Sequence, residues 1–504
     1  MGLFNQFPFT NFHEMNLDWV IKAIKESKET LENFDSNMES IVNKKIDALI
    51  NSGYFDTILS ELNKNKPYIV NDYKSISKIT PSINEYIIMQ NSNGAMGIYK
   101  ADNINKTGSI KCTNNIYVNV VGGNGYADIF GADYTGISYS DAAINNTYNF
   151  FGFVILKGIF KVKNTVKANI IIGNNATITR DTWTSAKALI NVYQTDDVYY
   201  KDFNIVINDN IDGSIIRTQD NKKIYVDNVN IRRTGDSINS LGAWAFTISC
   251  ETFIIKNCYI DTLSSGETGD GIHIVKAEYG VIDSCYIKAG DDAIALFTQN
   301  ISASGDINNV FINDCFISSP NYSGIKIGSK NSFHPYNCFV SNCRFSNCKT
   351  YITSTQNDNN NHNIYLYNCS SDIENSDIAA IQANNSGMNL FIDGGNYVYK
   401  KFTQLTMKSI NVKNAILNGT NFLGSIQQTA TVLIKDCEIT GIVSANDGQM
   451  IIAMNNVFRN TTNVFYRSSS DTTKTCVFAN IFINSTMTLN GPDNIKINNQ
   501  FLTI

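Results

Sequence analysis

The chain has 504 residues, of which 43% are hydrophobic and 17% are charged, and its formal net charge is −5. Its length suits several domains or one long repeat domain, and its hydrophobic fraction supports a sizeable core. An acidic chain without a basic block is a poor partner for nucleic acid. We find no signal peptide at its start and no apolar run of the ~18 residues that a membrane span needs.

The eleven cysteines do not indicate a disulfide framework. Their number is odd, there is no C-x-x-C motif, and no pair of histidines stands at zinc spacing near Cys343 and Cys348. Most of them occupy one position of a repeat, where a small apolar side chain facing a core is sufficient. We therefore expect free, buried thiols and no metal site.

Residues 12 to about 63 are predicted to be helical. Apolar side chains fall near heptad spacing there, namely Leu17, Ile21, Ile24, Leu31, Met38, Val42 and Leu49. The segment 1–66 is interpreted as either a helical oligomerisation stalk or an amphipathic helix packed on its own domain. Residues 67–125 predict a small β-rich linker, with a hairpin over residues 84–101.

From about residue 126 to the end, the sequence repeats. One shared position is occupied in turn by Phe203, Val229, Cys258, Cys285, Cys315, Cys343, Cys369, Gly395, Ala415 and Cys437, in steps of 26 to 30 residues and later of 20 to 22. Periods of this length indicate a solenoid, and the strand-like alternation without helices predicts a right-handed parallel β-helix. We expect the shared side chains to face inward, and the Asn before many of them to form a ladder of amide bonds.

The longer coils, over residues 126–400, have room for loops that wall a groove. The tight coils, over residues 401–504, predict more β-helix or a β-rich end. Within the long coils, the stretch from Thr268 to Leu296 holds two similar strands, DGIHI and DAIAL, separated by GVIDSCYI, which is treated as one strand.

Three acidic residues converge if these strands stack. Placing Ile272 over Ile294 puts Asp270 over Asp292, with Asp291 beside it, on coils ~4.8 Å apart. Carboxylates crowded in this way cannot all ionise cheaply, so at least one pKa should be raised. A protonated acid beside an ionised base is what hydrolysis of a glycosidic bond requires.

Four further residues are candidates for substrate binding. A third copy of the strand, SGIKIGS, sets Ser323 over the aspartates, while Lys326 and His273 share the adjacent outward column. Trp244 falls in the aspartate column one coil earlier, where an outward indole would be a sugar platform or would simply cover neighbouring coils.

Residues 129–144 resemble the opening signature of pectate-lyase-like β-helix proteins. The matching positions are Phe130, Gly131, Ala132, Asp133, Gly136, Asp141, Ala142, Ala143 and Ile144. In that family the segment leads into a short helix that caps the open end of the β-helix. A cap of this kind covers strand edges that would otherwise be unpaired.

The motifs TGDGI, GDDAIAL and SGIKIGS, in this order and spacing, resemble the signatures of polygalacturonase-type glycoside hydrolases. The resemblance implies that Asp291 is the general acid and that Asp270 and Asp292 hold and activate water, with no cofactor. The sequence differs from that family where its GHG histidine falls on Ser323. It also differs where the Arg-x-Lys strand falls on residues 351–355, which contain no basic residue.

The combination of a helical start, a capped β-helix and an acidic groove resembles bacteriophage tailspikes and appendage proteins, and NFHEMNLDW resembles their virion-attached end. The resemblance implies a homotrimer in the phage tail or neck. Its N-terminus would attach to other virion proteins, and its substrate would be a bacterial surface polysaccharide or teichoic acid.

Two other functions remain open from the sequence. The first is a receptor-binding tail protein without catalysis. The second is a polysaccharide lyase in which the aspartates hold Ca²⁺ and a lysine such as Lys326 is the base. A phosphodiesterase acting on a phosphodiester polymer is also left open.

Overall fold

The computed structural model describes residue 44 and residues 67–180, 188–208, 213–234, 243–263, 269–298, 304–329, 332–354, 362–372, 379–384, 388–406, 408–423, 431–443, 450–461, 464, 474–487 and 495–503. The chain divides into two units, Met1–Leu49 and Ile50–Ile504. The helix predicted over residues 12–63 lies outside the described residues, apart from Lys44, which is helical.

A small sheet begins the described part of the second unit. Its five strands follow the order β1-β2-β3-β5-β4, and they are β1 (Tyr68–Val70), β2 (Tyr86–Gln90), β3 (Met96–Asp102), β4 (Ile110–Lys111) and β5 (Tyr117–Gly123). The predicted hairpin forms, because β2 and β3 pair in antiparallel fashion around the turn at Gly94. The short helix α1 (Tyr73–Ile76) is capped by the carboxylate of Asp72.

The remaining strands form one 34-stranded sheet. In chain order they are β6 (Thr135–Tyr139), β7 (Val154–Leu156), β8 (Ile159–Lys161), β9 (Ile170–Arg180), β10 (Ala188–Tyr193), β11 (Asp197–Ile207), β12 (Gly213–Arg233), β13 (Ala243–Lys256), β14 (Tyr259–Thr262), β15 (Ile272–Lys276), β16 (Tyr279–Asp283), β17 (Tyr286–Ala289), β18 (Ile294–Thr298), β19 (Val310–Asn313), β20 (Phe316–Ser318), β21 (Ser323–Ser329), β22 (Asn337–Ser341), β23 (Arg344–Phe345), β24 (Thr350–Ser354), β25 (His362–Tyr367), β26 (Ser370–Ser371), β27 (Ala379–Asn384), β28 (Met388–Asp393), β29 (Asn396–Thr406), β30 (Ser409–Lys413), β31 (Ile416–Leu423), β32 (Thr431–Lys435), β33 (Glu438–Val443), β34 (Met450–Met454), β35 (Val457–Arg459), β36 (Lys474–Phe478), β37 (Ile481–Ile483), β38 (Ile495–Ile497) and β39 (Gln500–Leu502).

These strands lie on three faces, which the chain visits in turn. One coil contains β15, β16 and β17, and each pairs in parallel with the equivalent strand of the next coil. We call the ladder through β15, β18 and β21 the site face, the ladder through β16, β19 and β22 the second face, and the ladder through β17, β20 and β23 the third face. The parallel β-helix predicted from the repeat is confirmed.

The prediction that GVIDSCYI forms one strand was wrong. Ser284 has a left-handed backbone, with φ 52°, and this bend divides the stretch into β16 and β17. The same corner recurs before the shared position of the other coils, except at Gly395, where Gly394 has φ 71°. Its φ lies between 50° and 59° at Asp202, Asn228, Asn257, Asp314, Asn342, Asn368, Asn414, Asp436, Asn455, Ala479 and Asn498. Asn and Asp tolerate this conformation better than other side chains do, which explains their recurrence in the sequence.

The amide ladder predicted at these corners forms only in part. Asn228 bonds to Asp202 at 2.9 Å, and Asn368 bonds to Asn342 at 3.0 Å. A longer ladder runs along the second face instead, with bonds of 2.7 to 3.0 Å linking Asn309, Asn337, Asn363, Asn389 and Ser409. The corner residues are therefore selected mainly for their backbone conformation.

The shared position does face the core. The strand registers place Phe203 on Val229, and place the cysteines from Cys258 to Cys369 one above another. All of these side chains are buried. At the C-terminal end the column changes to Asn456, Asn480 and Asn499, which bond to each other at 3.0 and 3.1 Å.

Helix α2 (Asp141–Phe151) lies at the N-terminal end of the β-helix. It buries Ala143, Ile144 and Phe151, and it contacts β7, the first strand on the second face. Asp141 joins the helix to the first coil, because its carboxylate accepts bonds from the Lys163 N–H and the Asn164 amide. The predicted short helix therefore forms. Among the described residues, no helix is long and apolar enough to cross a membrane.

The first prediction concerns the thiols. Ten cysteine side chains are described by the structure, and all ten are free and buried. We therefore expect a thiol reagent to label the native protein at these positions very slowly and the denatured protein fully. Mass spectrometry of labelled peptides measures both. Rapid labelling of Cys258, Cys285 or Cys315 in the native protein would contradict the inward column.

Candidate functional site

Asp270 and Asp292 stand just ahead of two strands that stack on the site face. β15 pairs with β18 so that Ile272 lies opposite Ile294, as predicted. The carboxylates reinforce this stacking from coil to coil. The Asp292 N–H donates to Oδ1 of Asp270 at 3.3 Å, and the Ser323 N–H donates to Oδ1 of Asp292 at 3.2 Å. The two aspartates are therefore held on adjacent coils, as predicted.

Asp291 sits in the turn before β18, and its backbone is held on both sides. Its N–H donates to the Gly269 carbonyl at 3.1 Å, and its carbonyl accepts a bond from the Ser319 hydroxyl. The Asn321 amide donates to the carbonyl of the preceding Gly290 at 3.1 Å. Ser319 and Asn321 were missed in the sequence, because they come from the turn between β20 and β21, one coil later.

The three carboxylates form one cluster. One oxygen of each of Asp270, Asp291 and Asp292 lies within 4.8 Å of the others. Asp270 and Asp292 are 4% and 2% exposed, whereas Asp291 is half-buried. Burial, followed by the charges of the other two aspartates, raises the pKa of Asp291 to about 8. Burial and Asp270 also raise the pKa of Asp292, against the opposing effect of Lys326. Asp291 is thus a protonated acid at neutral pH.

His273 is buried beside Asp270. Its position does not support the direct contact with substrate that we expected from the sequence. Its side chain is 3% exposed. Its ring stacks on Trp244, with centroids 4.8 Å apart, and meets the edge of Phe297. Its outward register was predicted correctly, but the two aromatic rings cover it. We interpret His273 as a residue that positions Asp270.

The imidazole of His273 links the Asp270 carboxyl group to the main chain of the next coil. Nε2 lies 3.0 Å from the Phe297 carbonyl, to which it donates. Nδ1 lies 2.5 Å from Oδ2 of Asp270. The ring is therefore held at both nitrogens, and it fixes the position of the Asp270 carboxyl group.

Lys326 positions Asp292, as His273 positions Asp270. Its Nζ lies 2.8 Å from Oδ2 of Asp292 and 5.1 Å from the ring centre of Phe297. Burial lowers the pKa of Lys326, but the neighbouring carboxylates, Asp292 first, outweigh burial, and the net shift is upward. Lys326 therefore stays an ammonium ion.

Ser323 and two threonines extend the site by one coil. The Ser323 hydroxyl donates to Oγ1 of Thr353 at 2.8 Å, and Thr353 also bonds to Thr350 at 2.8 Å. Thr353 lies opposite Lys326 in the outward column, on the strand where the resembled family has its basic residues. This end of the site therefore offers hydroxyl groups.

Trp244 lies where the sequence predicted. β13 pairs with β15 with Phe246 opposite Ile272, which sets the half-buried Trp244 one coil before Asp270. Its stacking on His273 means that the indole also holds the imidazole in place. Phe297, whose ring and carbonyl contact both basic side chains of the site, was missed because nothing in the sequence distinguishes it from a core residue.

No protein-family model matches the sequence, and no curated protein matches it. Similar solved structures include the gp42 tailspike of Acinetobacter phage vb_AbaP_AS12, at 11% identity over 87% of this chain and 73% of that chain, with a TM-score of 0.46. Another is the catalytic unit of the GH87 α-1,3-glucanase of Streptomyces thermodiastaticus, at 12% identity over 74% of this chain and 73% of that chain, with a TM-score of 0.40. At these values neither assigns the chain to a family.

The second prediction concerns stability. An aspartate whose pKa is raised from 3.8 to about 8 on folding makes the folded state bind more protons than the unfolded state between these pH values. The wild type therefore loses stability as the pH rises through this window. We expect Asp291→Asn to match the wild type near pH 4 and to be more stable above pH 8.

Thermal unfolding of both proteins across this pH range measures the difference. Asp306→Asn is a suitable control, because Asp306 lies outside the cluster and accepts a bond from the His334 N–H. A stability difference between Asp291→Asn and the wild type that does not change with pH would contradict the raised pKa.

Proposed function

We propose that the site face hydrolyses a glycosidic bond of a bacterial surface polymer, a capsular polysaccharide or a wall teichoic acid. Asp291 is the general acid, and Asp270 and Asp292 hold the attacking water. The observation that carries the proposal is the raised pKa of Asp291, about 8, beside two recessed carboxyl groups. Glycoside hydrolysis needs this combination of a protonated acid and an ionised base.

The proposed reaction proceeds in one displacement. Asp291 gives its proton to the glycosidic oxygen as the bond from that oxygen to the anomeric carbon breaks. Water held by Asp270 and Asp292 adds to the anomeric carbon and releases its proton to one of these two carboxylates. Their partners, His273 and Lys326, hold the two groups in place beside the acid. The carboxylate that took the water proton then gives it to solvent, and solvent returns a proton to Asp291.

The burial of Asp270 and Asp292 favours inversion over a covalent glycosyl-enzyme. A nucleophilic carboxylate must reach the anomeric carbon itself, but these side chains are 5% and 2% exposed. A small water molecule can enter where a sugar ring cannot. The carboxylates lie closer together than the ~6.5–9.5 Å that separates the two carboxylates of common inverting sites. The water must therefore lie above the recessed pair and not between two carboxylates on opposite sides of the sugar.

The contacts of the aspartates argue against the calcium-dependent lyase. Three carboxylates are suitable donors for Ca²⁺. However, the Lys326 ammonium already bonds to Oδ2 of Asp292 at 2.8 Å. The Lys326 ammonium would also repel a cation, and its raised pKa makes it a poor base. The residues therefore fit a metal-independent hydrolase better.

We further propose that the protein is a tailspike-type appendage of a phage virion, attached through residues 1–66 and assembled as a homotrimer. This proposal rests on the resemblance of the N-terminal sequence, and the site described above does not depend on it. Each copy carries all the residues of its own site within one chain.

The third prediction tests catalysis. We expect the protein to release reducing ends from capsule or wall fractions of its host, and Asp291→Asn and Asp292→Asn to cut ~10²–10⁴ times more slowly, as is typical when general acid or base catalysis is lost. Both variants should still fold and bind the polymer. The wild-type rate should fall above about pH 8, where Asp291 loses its proton.

Asp261→Asn, a change on β14 outside the cluster, is the matched control. Wild-type rates for both cluster variants would reject the proposed site. Binding without any release of reducing ends would favour the receptor-binding function, and an unsaturated product that absorbs in the ultraviolet and is lost with chelator would favour the lyase.

The fourth prediction concerns Trp244. If the indole stacks on a sugar ring, Trp244→Ala should weaken polymer binding by ~1–3 kcal/mol, as aromatic platforms do. Trp244→Phe keeps a ring in the same place and should restore most of the affinity. Calorimetric titration of the slow-cutting Asp291→Asn protein, with and without each change, separates binding from cleavage. Equal affinities of the Trp244→Ala and Trp244→Phe variants for the polymer would show that the indole only covers His273.

A further inference from the structure

Arg217 is a cationic side chain on the site face that the proposed reaction does not use. It lies in β12, in the outward column that contains His273, with Thr247 between them. Two coils separate Arg217 from His273, a distance of about 10 Å at ~4.8 Å per coil. This is roughly the length of a disaccharide. Trp244 lies on the intervening coil, between Arg217 and the three aspartates.

The Arg217 guanidinium has no hydrogen-bond or ion-pair partner among the described residues. Its Nε is buried without a partner, although the side chain as a whole is only half-buried. Asp220, on the same strand, pairs with Lys276 at 3.8 Å, and the Thr247 hydroxyl bonds to Ser214 at 2.6 Å. A buried donor left without a partner costs free energy in the protein alone. Because the side chain is only half-buried, part of it is open to a ligand that supplies an acceptor.

A second unpaired group lies next to Arg217. Asn191, directly opposite it on β10, has a buried Oδ1 with no hydrogen-bond partner. An unpaired cationic donor and an unpaired neutral acceptor stand side by side on successive coils. Together they can bind an acid group, to which the guanidinium donates, and a hydroxyl group, which donates to the amide oxygen. An acidic sugar or a polyol phosphate offers both.

The two ends of the site face differ in how their charged groups are paired. Asp270 and Asp292 bond to His273 and Lys326, whereas Arg217 has no acidic partner among the described residues. Burial lowers the pKa of Arg217, but a guanidinium stays protonated in proteins. An anionic group is therefore attracted to the Arg217 end of the face.

We propose that Arg217 and Asn191 form an anion-binding subsite, and that the polymer carries an acidic group, a carboxylate or a phosphodiester, about two to three sugar units from the bond that is cut. The subsite gives the polymer its direction on the face, with its acidic group toward β10 and its scissile bond over Asp291. The inference rests on the proposed function only in taking the site face as the polymer-binding surface.

The test compares binding of three probes, namely poly(glycerol phosphate), polygalacturonate and neutral dextran, by calorimetric titration at low salt. We expect the full chain to bind at least one anionic probe, more weakly as salt increases, and not to bind dextran. Arg217→Gln should weaken that binding by roughly 10- to 100-fold, the effect of losing one charge-assisted bond. Arg217→Lys keeps the positive charge but loses the planar guanidinium group. Its affinity should therefore lie between those of the wild type and Arg217→Gln.

Arg344→Gln is the matched control, because Arg344 lies on the third face and pairs with Asp372 at 2.8 Å. Its affinity should equal that of the wild type. Thermal unfolding of Arg217→Gln distinguishes a ligand site from a structural role, since a structural role would lower stability and leave affinity unchanged. Unchanged affinity for Arg217→Gln, equal binding of dextran, or no binding of either anionic probe would overturn the subsite.

Cleavage provides the separate readout of the proposed function. On a polymer that the wild type cuts, Arg217→Gln should raise KM and leave kcat unchanged, because the residue lies away from the reacting atoms. If Asp291→Asn cuts normally while Arg217→Gln loses affinity, the hydrolase proposal fails and the anion subsite stands.

Discussion

The parallel register between successive coils of the site face is the constraint on which the site depends. Ile272 and Ile294 pack into the core one above the other, and each fully buried side chain of this kind contributes roughly 1.5–3 kcal/mol. A slip of one residue would turn these side chains outward and separate Asp270 from Asp292. The aspartates themselves accept backbone N–H groups from the next coil, so the acidic cluster and the ladder stabilise the same register.

Crowding three carboxyl groups would be unfavourable without basic partners. His273 and Lys326 reach Asp270 and Asp292 from the outward column, and the Phe297 carbonyl and ring hold both partners in place. Asp291 is left without such a partner among the described residues, and burial and the other two acids raise its pKa to about 8. The chemistry thus follows from an unequal distribution of two basic side chains among three acids.

Periodicity allowed much of this arrangement to be predicted from the sequence. The inward column through Cys285, the stacking of Asp270 on Asp292 and the place of Trp244 all follow from register, because side chains in parallel coils repeat along the chain. The predictions that failed concerned features that depend on tertiary contacts. The burial of His273 needs Trp244 and Phe297 from neighbouring coils, and the corner at Ser284 needs a left-handed backbone that serine rarely adopts. The unpaired state of Arg217 is likewise visible only when its neighbours are in place.

The stereochemistry of cleavage tests the central claim most directly. If Asp291 protonates the leaving oxygen while the recessed pair directs water, the sugar released first should have the anomeric configuration opposite to that in the polymer. Proton NMR recorded during the first turnovers, before the anomers interconvert, measures this. A product with the original configuration would show that a carboxylate attacks the sugar directly, and an unsaturated product would show elimination; either result would contradict the account.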